Sequence, residues 1–388
     1  MADFRQPATR SGFKIAIICA LTRERDAVME MLDQTWDHSA YGKAPADTNT
    51  YRFGRIGSHN VVVAQLPNMA IEASASTAAS FRSSFLDIRL GLVVGICGGV
   101  PTRTPSGDIL MGDVIISKHI VDFTYGRKYD NKHEIKDTLA DSYGRQNKEI
   151  RSFLVTMEGK RDRETLKKQS LKYLTILCSK DIFASSRFPG ADKDILYERT
   201  YRHKHQQPQR DDDDYIKCNE AEGELEKAKS SSNSRTEPQK LMDEVKNARV
   251  CTASEKKSCE ELQCDRMKAV QRNPRRDSLV VDEPQMTIRM PEIHFGTYGS
   301  GNSVLKSGFD RDKLAETHDI IAFEMEGAGA WDNFPTVVIK AVCDYADSHK
   351  NKEWQDFAAA SAAACMKAFL MQWTVADDAL PDKTEARK

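Results

Sequence analysis

Short runs of aliphatic, β-branched residues recur through the first third of the chain and again in its last quarter, with helix-patterned segments between them. Lys14-Ile-Ala-Ile-Ile-Cys19, Asn60-Val-Val-Val-Ala64, Leu90-Gly-Leu-Val-Val94 and Asp113-Val-Ile-Ile116 are too short for helices and apolar without alternation, the pattern of strands buried on both faces. Residues 22–32 place Val28, Met29 and Leu32 on one helical face, and 71–85 are rich in Ala and Ser. Strand alternating with helix predicts a mainly parallel sheet with helices packed on it. Two more strands are expected at Ile320-Ile-Ala-Phe323 and Thr336-Val-Val-Ile-Lys-Ala-Val342, followed by an Ala-rich helix over 357–369.

Between these blocks the character changes. Gly159-Lys-Arg-Asp-Arg-Glu164, Asp211-Asp-Asp-Asp214 and Lys229-Ser-Ser-Ser-Asn-Ser-Arg235 bury too little apolar surface to offset the entropy of ordering them. The chain therefore divides into 13–127, the first part of one α/β domain; 128–290, a charged and partly mobile insertion; 291–373, the second part of the same domain; and a polar tail, 374–388. Within the insertion, Leu171-Lys-Tyr-Leu-Thr-Ile-Leu177 is expected to pack as a helix.

The 57 basic and 58 acidic side chains nearly cancel, which removes the positive field of a general nucleic-acid or membrane-surface binder and leaves a small molecule as the expected partner. Nine cysteines, an odd number without CxxC pairs, point to free thiols in a reducing, cytoplasmic setting. The first residues are polar, without the apolar core of a signal peptide, and no stretch approaches the ~20 apolar residues of a membrane span. His203, His205, Cys218, Cys251, Cys259 and Cys264 show no regular zinc spacing, so neither a metal nor another cofactor is expected.

Four polar sites fall at strand ends, where open sheets place their ligand crevices. Glu24 opens the helix after the first strand. Gly95-Ile-Cys-Gly-Gly99 is expected as a glycine-rich turn after an apolar strand, one that lets backbone approach a ligand closely. Glu324-Met325-Glu326 follows another, and carboxylates so placed need partners; in extended chain both would point to the same side, where one can accept hydrogen bonds from the vicinal hydroxyls of a ribose. Asp344 ends the last strand, where a carboxyl can hold a proton for a leaving group. Asp347, Ser348 and His349 are expected in capping and surface roles. A competing pattern, Gly95-Ile-Cys97-Gly-Gly99 with Asp344 and His349, has the order of a hydrolase nucleophile, acid and histidine. It would need Asp344 and His349 on separate loops, and it leaves Glu24 and Glu326 without a task.

Together with Ile18-Cys-Ala-Leu-Thr-Arg-Glu24, Gly112-Asp-Val-Ile-Ile-Ser117, Ser300-Gly-Asn302 and Cys343-Asp-Tyr-Ala-Asp-Ser-His-Lys-Asn-Lys352, these segments resemble the nucleoside phosphorylase and nucleosidase superfamily, in the branch found in fungal proteins beside NACHT or ankyrin modules. The resemblance implies a three-layer α/β/α fold around a mixed, partly closed sheet, a homo-oligomer, and a nucleoside or nucleotide substrate. It implies that Glu326 holds the ribose hydroxyls, that Met325 packs under the sugar, and that Asp344 protonates or hydrogen-bonds purine N7. Ser300, Asn302, Ser303 and Val304 would flank the base, with Val304 where an aromatic often stacks. At the positions where phosphorylases of the superfamily carry phosphate-binding groups, this chain offers Glu24, Val93 and Ile96, a poor site for a trianion. That favours hydrolysis with Glu24 activating water, phosphorolysis being the alternative, and a nucleotide-sensing or nucleotide-depleting signalling module a further one.

Overall fold

The computed structural model describes residues 6–37, 39–101, 103–104, 107–129, 133–138, 140–206, 252–272, 278–281, 286–350 and 352–374. The acidic run at 211–214, the serine tract at 229–235 and all but one residue of the tail at 374–388 lie outside the described residues.

The aliphatic runs become strands of one sheet. In chain order the elements are β1 (Ile15–Cys19), α1 (Thr22–Glu30), β2 (Gln34–Trp36), β3 (Tyr51–Ile56), β4 (His59–Gln65), α2 (Ile71–Ser84), β5 (Leu90–Gly99), β6 (Val114–Asp122), α3 (Lys148–Met157), α4 (Lys160–Cys178), β7 (Ile293–Ser300), α5 (Gly308–His318), β8 (Ile320–Glu324), α6 (Gly327–Trp331), β9 (Thr336–Asp344) and α7 (Gln355–Leu370). The nine strands lie in the order β8-β7-β6-β9-β5-β1-β4-β3-β2. β1 runs parallel to β4 and β5, and β5 parallel to β9, so the centre of the sheet has the buried, unalternating strands that the sequence implied.

β5 closes part of the sheet on itself. Its first residues pair with β1, as far as Val93, while Gly98 and Gly99 pair antiparallel with Phe323 and Ala322 of β8. Since β8 is also the far edge strand of the order above, β5, β9, β6, β7 and β8 form a closed ring. The expected mixed, partly closed sheet is what the chain builds.

α7 is buried along nearly its whole length, from Phe357 to Leu370, and its alanines let it lie close both to β9, β5 and β6 and to α1 and α4. α2 and α6 pack on each other, with α6 against β9, β6 and β5, which gives helical layers about the sheet. α4, within the charged middle of the chain, buries Leu166, Leu174 and Leu177 at helical spacing, and these join the main core. The expected helix at 171–177 is the second half of it. No helix among the described residues is long and apolar enough to cross a membrane.

Candidate active site

Three strand ends and the first turn of α1 converge on a cavity of about 320 Å³. Its walls include Glu24, Ile96, Cys97 and Gly98 on one side and Met325, Glu326, Asp344 and Lys350 on the other, with Ser303 and Val304 at the rim. A larger cavity, about 630 Å³, opens beside Arg199, Arg311 and Asp319, but none of the candidate site residues read from the sequence lines it.

Glu24 is 2% exposed and its carboxylate is held by backbone alone. Oε2 accepts from Ala20 N at 2.9 Å and Leu21 N at 2.8 Å, reaching back over the first turn of α1; Oε1 accepts from Ile96 N at 2.9 Å. Gly95 makes room for this: a Cβ there would stand 2.2 Å from Glu24 Oε1. Burial raises the Glu24 carboxyl above its ordinary pKa, opposed by the ammonium of Lys340 and by the three amides.

Lys340 is the centre of the site and was not visible as such in the sequence. It lies inside β9, 2% exposed; it contacts Glu326 Oε2 and stands 3.2 Å from Glu324 Oε2. Burial draws the ammonium down, but Glu326, Glu324 and Glu24 more than reverse it, so Lys340 remains a cation. One cation facing three carboxylates leaves an excess of negative charge. Burial, with Glu324 and Glu24 adding to it and Lys340 opposing, brings Glu326 to about 7. Glu326 Oε1 is buried and accepts no hydrogen bond from any described group, so one acceptor faces the site unfilled.

The two glutamates have different tasks. Both turn toward Lys340, as strand alternation predicted, but Glu324 is spent on structure: its carboxylate accepts from Glu326 N at 2.9 Å and Gly327 N at 2.8 Å, fixing the turn into α6. Ser300 and Asn302 do not line the cavity. Ser300 Oγ accepts from Ala328 N at 3.1 Å, and Asn302 Oδ1 accepts from Ile71 N at 2.8 Å, where each steadies the start of a helix.

At the other end, Asp344 Oδ1 accepts from Ala346 N at 2.8 Å, and Lys350 Nζ lies 3.1 and 3.2 Å from the two carboxylate oxygens. The register of β9 on β5 shifts between Val342 and Asp344, an irregularity that re-aims the strand end toward the cavity. Gly98 pairs with both Asp344 and Phe323, which is how the ring closure brings the Asp344 and Glu326 ends together.

The nucleophile-elbow alternative fails on this geometry. Burial raises the Cys97 thiol well out of the thiolate range, and His349 stacks on Tyr197 and Tyr201 with its pKa pushed down to about 3 by burial and by His203. Asp347 and His349 are not surface residues as expected: they are 7% and 6% exposed, because the loop after β9 folds under the middle segment. The capping part of that expectation is met, since Asp347 Oδ1 accepts from His349 N at 2.8 Å.

No family model matches the chain. A nucleotide-binding leucine-rich repeat (NLR)-like protein of Hyaloscypha variabilis is 30% identical over 365 residues, 92% of this chain but only 29% of that protein, so the chain spans less than a third of its relative. Among solved structures it is similar to futalosine hydrolase of Helicobacter pylori (12% identity, TM-score 0.47, 92% of this chain and 97% of that one). It is also similar to a 5′-methylthioadenosine/S-adenosylhomocysteine nucleosidase of the same organism (11%, 0.48, 93% and 98%). A third is S-adenosylhomocysteine nucleosidase of Streptococcus pyogenes (14%, 0.48, 94% and 98%). Likeness at that level does not say which reaction this chain runs; the chain's own strands and helices carry the fold assignment, an α/β protein with a mixed, partly closed central sheet between helical layers.

Proposed function

We propose that the chain hydrolyses the N-glycosidic bond of a purine nucleoside or nucleotide. The observation that carries this reading is the Glu24 carboxylate, seated on the amides of Ala20, Leu21 and Ile96 at the edge of the cavity. Backbone amides at a strand-to-helix turn are what a bound phosphate would use. Here a carboxylate of the chain already occupies them, and a phosphate beside it would meet like charge. Arg23, at the cavity edge, pairs with Asp356, and Arg25 with Asp26 and Gln65.

A water can use what remains. Glu24 Oε1 accepts one amide and keeps a lone pair, enough to orient a water and take its proton as it attacks C1′. Glu326, its Oε1 open, holds the ribose hydroxyls, and Met325 packs beside the sugar. Asp344 takes a proton from the Lys350 ammonium, 3.1 Å from its Oδ1, and passes it to N7 of the departing base. Ser303 and Val304 border the base. Positioning and acid–base work together supply several orders of magnitude in rate. The test is release of free base from a panel of adenosine, guanosine, 5′-thioether nucleosides, ATP and the pyrimidine nucleosides uridine and cytidine. Release from at least one purine substrate and none from pyrimidine nucleosides is expected; no release from any overturns the assignment.

A second reading, a nucleotide-sensing or nucleotide-depleting module of a larger signalling protein, is favoured by the relative, 71% of whose length lies outside the matched stretch. Turnover of ATP in the same panel supports depletion.

A further inference from the structure

Away from this cavity, four side chains from three separate segments converge under the loop that follows β9. Cys259 Sγ and Cys264 Sγ lie 3.7 and 3.6 Å from Nδ1 of His203. Single ligand atoms of His203, Cys264 and His349 all lie within 4.8 Å of one another. We propose that His203, Cys259, Cys264 and His349 form a tetrahedral zinc site that fastens the middle of the chain to the loop carrying Asp344 and Lys350.

The two sulfur–nitrogen distances at His203 are those that zinc requires, and Cys259 stands beside the mutually close His203, Cys264 and His349 as the fourth donor. With Zn–S near ~2.3 Å and Zn–N near ~2.05 Å, a tetrahedral angle sets sulfur and nitrogen ~3.6 Å apart and two imidazole centroids ~5 Å apart. The His203 and His349 centroids are 5.4 Å apart. The protonation pattern fits as well. His203 Nε2 lies 2.8 Å from the carbonyl oxygen of Lys257, so that nitrogen donates and Nδ1 carries the lone pair, the arrangement in which a ligating histidine is held by a backbone carbonyl. One lone pair accepts one thiol hydrogen bond, yet two sulfurs approach it; a cation between them accounts for both.

His349 supplies the independent sign of a missing partner. It is 6% exposed, its Nε2 meets no hydrogen-bond partner among the described residues, and its ring is fixed by stacking on Tyr197 at 4.2 Å. Two thiolates and two imidazoles are soft and borderline donors that select zinc over calcium or magnesium, and four protein ligands leave no open coordination position, so the site is structural. No zinc spacing is visible along the chain because the four residues stand at 203, 259, 264 and 349, and only the fold joins them.

The test is zinc content of the full chain purified without chelator, with cobalt substitution. About one zinc per chain is expected, and a cobalt form with a thiolate charge-transfer band and tetrahedral ligand-field bands. Cys264→Ser should lower retained zinc about tenfold or more, while His133→Ala, a histidine outside the cluster, leaves it unchanged. Should Cys264→Ser fail to fold, the cobalt spectrum of the unaltered chain still decides. Substoichiometric zinc with no thiolate band overturns the proposal, as does a Cys259–Cys264 disulfide in the protein as purified. Metal content is read without any substrate, so this result stands apart from the reaction proposed above.

Discussion

At one end of the cavity Glu24 is held by three backbone amides; at the other, Asp344 is held by one amide and by the ammonium of Lys350. The amides belong to the two-residue turn between β1 and α1 and to β5, so they are anchored to the sheet, whereas Lys350 sits in a loop and its charge travels with a flexible stem. The difference matches the two tasks proposed above. A base that must aim one water at one carbon gains from a rigid seat. A group that must pass a proton gains from a partner that can exchange or follow it, and Lys350 is placed to keep Asp344 supplied.

Substitutions that break this contrast should have unequal effects. Glu24→Gln keeps the size but cannot take a proton, and its amide NH₂ would face backbone donors; turnover should fall about a thousandfold while a ligand still binds, a loss confined to the transition state. Near-normal turnover would remove Glu24 as the base. Asp344→Asn should cost about a hundredfold in kcat with little change in binding, checked by single-turnover base release. Lys350→Met should cost about tenfold, mostly in kcat, if Lys350 only supports Asp344; a loss as large as that of Asp344→Asn would make the ammonium itself the donor to the base.

The smallest effect concerns pH. Glu326 has its pKa raised from 4.5 to about 7, so its contribution to stability is full below 4.5 and is lost as pH rises through 7. Glu24, raised in the same direction, adds to this trend. The ligand-free chain should therefore lose part of its thermal stability between those values, and Glu326→Gln should flatten the slope. Activity should run the other way, since the role proposed for Glu326, accepting the ribose hydroxyls, needs it ionised. Thermal melts at several pH values, paired with kcat/KM, check both signs.

Much of this was legible in the sequence, for identifiable reasons. β1, β4, β5, β8 and β9 announce themselves because buried parallel strands lose their alternation, and Glu24, Glu326 and Asp344 stand out as carboxylates at the ends of such strands. The central strand β7 was not assigned, because His294, Gly296 and Gly299 interrupt its apolar run; the glycines leave space that Ile321 and Phe323 fill. Lys340 escaped notice because a lysine within a strand reads as a solvent-facing position, and only the pairing of β8 with β5 turns that face into a buried pocket. The separate tasks of Glu324 and Glu326 depend on where the strand stops, a boundary that local patterns place poorly.

The central claim is that Glu24 puts water where a phosphorylase would hold phosphate. Its most direct test is the sugar product from an active purine substrate, followed as phosphate is titrated in. The account predicts free ribose or its 5′-substituted form, at a rate that phosphate leaves unchanged; ribose 1-phosphate appearing in proportion to added phosphate would contradict it.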